Sequence, residues 1–252
     1  MFEILILSFI QGVTEFLPVS SSSHLILVSE YLRFNEQSLS IDVSLHIGSF
    51  LAVLLYFFKD ILSFFKNRFL FLKIFISSLP VMVIGFFLVK FGLIDKIRNL
   101  ETIAWMTLIF GLLLYLSDRC KISKQLNENF TYKSAILIGI FQILSLIPGV
   151  SRSGIAITAA RLLNFKRVDS AKISFLISIP VLGAVSVFGL NNIIFSENQD
   201  FAKLNIFAII SAFFFSLITI KYFLKYLNKF SLNIFVYYRV LLGIILLALA
   251  YL

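Results

Sequence analysis

Two short stretches of this chain hold residues whose types and spacing suit chemistry on an anion, and on phosphate above all. "EFLPVSSSSH" runs from Glu15 to His24, and "PGVSRSG" runs from Pro148 to Gly154 with Arg152 between Ser151 and Ser153. Proline ends a helix and serine caps the start of the next one. Each stretch therefore begins a helix whose free N–H groups and positive dipole end can hold an anion. Arg152 adds a planar fork that binds phosphate through two hydrogen bonds. Ser20 and Ser21 precede His24 by four and three residues and can share its helix face. A serine beside an imidazole is a nucleophile with a general base, and His24 can alternatively protonate a leaving phosphate oxygen. Ser20, Ser22, Ser151, Arg152 and Ser153 make up the expected phosphate-binding set, although Ser22 and Ser23 equally suit helix capping. Gly149 and Gly154 allow close approach of backbone to ligand.

Glu15 is the discordant member, because a carboxylate beside a phosphate repels it. Three arrangements resolve the conflict. Glu15 pairs with Arg152, or is protonated, or shares a divalent cation such as Mg²⁺ or Ca²⁺ with the phosphate, with Gln11 one turn earlier adding a neutral oxygen.

The elements that carry these residues are unusual. Of 252 residues, 60% are hydrophobic and 14% charged, with 30 phenylalanines, and the mean hydropathy is +0.99. A water-soluble fold of this size has no core large enough for that apolar surface, so the chain reads as an integral membrane protein. Six apolar runs are long enough to span, at 41–58, 69–92, 100–117, 170–190, 204–226 and 232–252, and no separate soluble domain fits between them. Residues 2–34 and 132–163 are too long for one span and too short for two, and each is broken by proline and serine. Each is expected to form a re-entrant pair of half-helices. Irregular backbone of this kind survives at membrane depth only when buried in protein or lining a cavity. An arginine there costs about 3 kcal/mol unless compensated, and a phosphate compensates Arg152.

The broken stretches also resemble each other. "IQGVTEFLPVSSSS" lies over "FQILSLIPGVSRSG" with a one-residue gap, Gln11 on Gln142 and Pro18 on Pro148, and three spans follow each. The expected fold is an all-α polytopic membrane protein, six transmembrane helices plus two re-entrant hairpins, built as inverted repeats near 1–118 and 132–252 within one domain of 1–252. Lys and Arg concentrate in the linkers around 59–73, 119–133, 166–172 and 225–229, whereas Arg33, Lys96, Arg98 and Lys203 fall on the other side. Basic linkers mark the cytoplasmic face, which puts both termini and the entrance of the first hairpin outside. The net charge of +9 then reflects those linkers and anionic headgroups rather than nucleic acid. The N-terminus lacks a basic region and a cleavage site and reads as mature sequence. One cysteine, Cys120, excludes an internal disulfide. Arg161 and Arg239 read as snorkelling or paired with helix ends, and His46 as a satisfied core polar group.

The motifs resemble those of the bacitracin-resistance undecaprenyl-diphosphatase family, whose "(E/Q)xxxE" running into "FLP(I/V)SSxGHL" and later "PGxSRSG" appear here as "QGVTE", "FLPVSSSSHL" and "PGVSRSG". The resemblance covers nearly the whole chain. It implies removal of the terminal phosphate from undecaprenyl diphosphate at the outer face of the bacterial inner membrane with a divalent cation, which recycles the carrier for cell-wall synthesis. It also implies that Glu15 is the acidic residue, that Ser21 and His24 are the serine and histidine of the first motif, and that Ser151, Arg152 and Ser153 form the phosphate-binding run. Gln11 stands where many members have Glu, so the metal site has one carboxylate fewer, and Ser23 stands where glycine is usual. The implied partners are a polyprenyl diphosphate and membrane lipids, with a homo-oligomer left open. Inverted repeats with broken helices are equally transport architecture, so the alternative function is a transporter or flippase of a polyprenyl phosphate or another anion. The Ser–His–Glu set discriminates the two, since a binding site alone needs no acid or base.

Overall fold

A computed structural model describes residues 1–32, 34, 38–66, 68–93, 97–194 and 199–252. Described residues form helices and turns, and the order follows the hydropathy of the sequence. α1 (Phe2–Thr14) and α2 (Ser21–Leu32) are the halves of the first broken stretch, and α3 (Leu39–Tyr56) is the first long apolar helix. A short helix α4 (Phe58–Lys66) leads into α5 (Arg68–Lys90) and α6 (Leu100–Asp118). After a one-turn α7 (Leu126–Asn129), the second broken stretch gives α8 (Tyr132–Ile143) and α9 (Arg152–Leu162), followed by α10 (Arg167–Ile194), α11 (Gln199–Leu227) and α12 (Asn233–Tyr251). Six of these helices, α3, α5, α6, α10, α11 and α12, are long and apolar enough to cross a membrane, as the sequence predicts. The chain is an all-helical, multi-pass membrane protein.

Polar side chains start the helices. Ser38 accepts from Ile41 N at the head of α3, Asn99 from Thr102 N at α6, Thr131 from Ser134 N at α8 and Ser151 from Gly154 N at α9. The two breaks are alike in backbone. Ser20 (φ 78°) and Ser151 (φ 72°) both take the left-handed conformation, which costs an L-residue about 1–2 kcal/mol and persists only where the surroundings enforce it.

Packing runs across the two halves of the chain. α1 lies against α11 and α8 lies against α5, while α3 faces α10 and α6 faces α12. Close approach needs small residues. A Cβ at Gly139 of α8 would sit 2.7 Å from Ser77 O of α5. Polarity is arranged inside out. Ser8, Gln11, Ser44, Gln142, Asn205 and Ser216 are fully buried, whereas Ile206, Ile210, Phe214, Ile218 and Tyr222 form an exposed stripe at every fourth position of α11. Such a stripe suits lipid as its solvent.

The basic linkers meet at one end. The Asp118 carboxylate accepts from Arg167 Nε at 2.7 Å and from Leu232 N at 3.2 Å, and lies 3.4 Å from Arg161 Nε. Lys172 pairs with Asp60 at 2.6 Å. Arg161 is fully buried and donates to the carbonyls of Asp118, Cys120 and Phe165, so it is paired with helix ends and does not snorkel. Arg33 and Lys96 lie outside the described residues.

Candidate active site

The site grows from α1. Gln11 and Glu15 stand one turn apart on one face, and Pro18 then forces the turn that places Ser20 to Ser23 at the head of α2. In the second half of the chain the turn after Pro148 places Ser151, Arg152 and Ser153 at the head of α9. The two turns are joined directly, because Ser153 Oγ donates to Leu17 O at 2.6 Å. Ser153 is thereby committed to the backbone of the opposite turn.

Glu15 is the centre of the polar contacts. Arg152 Nη2 pairs with its Oε1. Ser21 Oγ donates to Oε2 at 2.5 Å, and Gln11 Nε2 donates to the same oxygen at 3.1 Å. Pairing with Arg152 is therefore the arrangement adopted, and it joins the two broken stretches across 137 positions of sequence. Gln11 Nε2 also lies 2.9 Å from His46 Nδ1, and His46 Nδ1 lies 3.9 Å from Glu15 Oε2. These groups border a cavity of about 250 Å³, whose polar side is made by Glu15, Ser21, Ser22, His46, Ser151 and Arg152. Its other wall is apolar, from Ile26, Val81, Val181, Leu182 and Val185, and Arg98 stands at its border. A cavity polar on one side and aliphatic over the larger rest matches an anionic head joined to a hydrocarbon tail.

Two sequence expectations are placed differently. His24 is turned away from the serine hydroxyls. Its Nδ1–H donates to Ser20 O at 2.6 Å, and its Nε2 meets Tyr238 Oη at 2.5 Å with the rings stacked at 5.7 Å. Ser21 bonds Glu15 instead, and the Ser20 hydroxyl bonds Ser23 at 2.9 Å. His46, read as a satisfied core residue, borders the cavity beside Glu15. Its signal in the sequence is that it is a titratable group within a predicted span. Tyr238 carried no such signal, since aromatic residues are abundant at membrane interfaces.

Glu15 and Gln11 are the residues that would hold a hard divalent cation, once Arg152 leaves the carboxylate and the Gln11 amide turns. Gln11 Oε1 is buried without a hydrogen-bond partner, and turning that amide end for end places it beside the Glu15 carboxylate. Among the described residues no three His, Cys, Asp or Glu side chains form a metal-binding group. A cation here would take its remaining ligands from phosphate oxygens and water, which is the usual condition of Mg²⁺.

A profile of the bacitracin resistance protein BacA family matches residues 4–245. The chain belongs to the BacA family. Among its relatives, a protein of Pelagibacter ubique named undecaprenyl-diphosphatase is 49% identical over 250 residues, covering 99% of this chain and 97% of the relative. Proteins of the same name from Alteromonas mediterranea (41% over 264 residues, 98% and 97% covered) and Roseobacter denitrificans (40% over 265 residues, 100% and 99% covered) match along their whole length. BacA membership spans both broken stretches, so the paired turns at Ser20 and Ser151 lie within the region the family defines.

Proposed function

We propose that this chain hydrolyses undecaprenyl diphosphate to undecaprenyl phosphate and inorganic phosphate. This recycles the lipid carrier of cell-wall synthesis and thereby confers bacitracin resistance. The relatives carry the name of that activity, and transport is the less favoured reading. The observation that carries the enzymatic reading is the 2.5 Å bond from Ser21 Oγ to Glu15 Oε2 beside Arg152, a hydroxyl already in contact with a base. The terminal phosphate displaces Glu15 from Arg152. Glu15 Oε2, already in contact with the hydroxyl, takes the Ser21 proton as Oγ attacks the terminal phosphorus. The bridging P–O bond breaks with its electron pair leaving on the lipid monophosphate. Glu15 hands that proton to the departing lipid monophosphate, then takes one from the water that attacks the phosphoserine and returns it to Ser21 Oγ as the Oγ–P bond breaks. Arg152 and the N–H groups at the heads of α2 and α9 hold the charge that builds on the phosphoryl oxygens. A divalent cation, held by Glu15 and Gln11, supplies further charge neutralisation on the diphosphate when bound.

The two broken stretches are re-entrant hairpins entering from opposite sides, and the chain is a pair of inverted repeats. Three observations support this: the reciprocal packing of α1 on α11 and α8 on α5, the matching left-handed serines, and the two buried glutamines, Gln11 and Gln142. The basic end faces the cytoplasm of the inner membrane, and the cavity opens outward. Purified protein in detergent tests the activity. Phosphate release from undecaprenyl diphosphate with no second compartment present establishes an enzyme, and its absence leaves the proposal without support.

A further inference from the structure

Arg239 of α12 is fully buried, and the ion pairs of the described residues do not include it. Every N–H of its guanidinium instead finds a backbone carbonyl. Nε donates to Thr107 O at 3.2 Å, Nη1 to Pro18 O at 3.2 Å and Val150 O at 3.0 Å, and Nη2 to Met106 O at 3.4 Å and Gly149 O at 2.8 Å. Two of these acceptors belong to α6. The other three belong to the two breaks, one in the first and two in the second. Glycine makes the seat, since a Cβ on Gly111 would lie 2.9 Å from Arg239 Cβ and one on Gly154 would lie 3.0 Å from Nη1.

We propose that Arg239 is the positioning residue of this site, a clamp that holds the two turns in register so that both act on one phosphate. The proposal rests on the diphosphatase reading above. Its chemistry follows from the peptide unit. In a trans peptide the N–H points opposite to the C=O. With Val150 O held by Arg239, the Ser151 N–H points away from Arg239 and meets no acceptor among the described residues, and Ser151 is one of the residues that line the cavity. Pro18 O fixes the first turn in the same way, and with it the Ser20–Ser21 segment that carries the attacking hydroxyl. The ground state is satisfied by Arg152 and either helix head. The transition state needs the hydroxyl from one turn and the charge-stabilising N–H groups from the other at the same moment. Losing the clamp therefore lowers kcat and leaves substrate binding nearly unchanged.

Arg239→Lys keeps the charge but offers three donors from one atom, too few for five acceptors spread over two turns and α6. The expected result in detergent is a kcat lower by roughly 30-fold or more with KM within about threefold, since displacement by about 1 Å is enough to cost on the order of 100-fold. A loss that falls equally on KM, or a kcat within about twofold of wild type, overturns the proposal. Gly111→Ala pushes on Arg239 from outside the cavity and decides the question where Arg239→Lys does not fold; the same split, smaller in size, is expected. A second readout is independent of activity. Spin labels at Ser22→Cys and at Ser145→Cys, in the single turn Leu144–Leu146 that leads into the second break, report the distance between the two turns in a Cys120→Ser background. A narrow distribution that broadens with Arg239→Lys, or with Gly111→Ala, supports the clamp, and an unchanged distribution overturns it. A wild-type protein that releases no phosphate overturns the diphosphatase reading, while these distance distributions still decide the clamp.

Discussion

Glu15 shows how a single side chain can be legible in sequence and its role still depend on distant partners. Its type and place beside Pro18 mark it as a site residue. That Arg152 answers it, that Ser21 rather than His24 shares its proton and that His46 stands beside it are facts of long-range packing which no local spacing encodes. The exchange of partners has consequences. Glu15 competes with phosphate for Arg152, so at saturating divalent cation Glu15→Gln should bind undecaprenyl diphosphate no more weakly than wild type while kcat falls on the order of 100-fold or more for loss of the base; weaker binding with kcat preserved would show that Glu15 serves only to hold Arg152. Arg152→Lys keeps the charge but loses the fork, and turnover should drop by about two orders of magnitude; near wild-type kcat/KM would remove the bidentate role. With a cation bridging Glu15 and the diphosphate, excess chelator should abolish phosphate release, and added Mg²⁺ or Ca²⁺ should restore it. Full activity in chelator would rule the bridge out.

At the scale of elements, hydropathy and proline did most of the predicting. The six spans match the long helices within a few residues at most ends, because a membrane demands length and apolarity and leaves little else to choose. The breaks were legible because proline and serine leave a local mark. The nine-residue α4 was not, since it is too short to span and its charges resemble those of a loop. Nor was the pairing of α8 with α5, which depends on surface complementarity between segments about 60 residues apart. Gly139 gives that pairing a test. Its Cα approaches the α5 backbone so closely that a valine there has nowhere to go, and Gly139→Val should lower stability by about 1–3 kcal/mol, read as a fall in the detergent melting temperature and in the yield of folded protein. An unchanged melting temperature would mean that α8 and α5 are not so tightly joined.

For the whole molecule, the distribution of Lys and Arg is the feature on which the proposed orientation rests. The linkers that carry most of this charge are knitted together through Asp118, Arg161 and Arg167 at one end, the face proposed above to be cytoplasmic. Cys120 sits on that face. A membrane-impermeant thiol reagent should miss it in intact cells and label it once the membrane is opened, and equal labelling in intact cells would invert the orientation.

The span of sequence between partners also has a meaning in time. Glu15 meets Arg152 across 137 positions, and Pro18 meets Arg239 across 221. At synthesis rates of about 5–20 residues per second, the first turn waits on the order of ten seconds for its cation and longer for the arginine of α12. Until then a carboxylate and a set of unbonded carbonyls reside in a half-made bundle. A polypeptide that stops short of residue 239 leaves the carbonyls of Pro18, Gly149 and Val150 without the donors that Arg239 brings them.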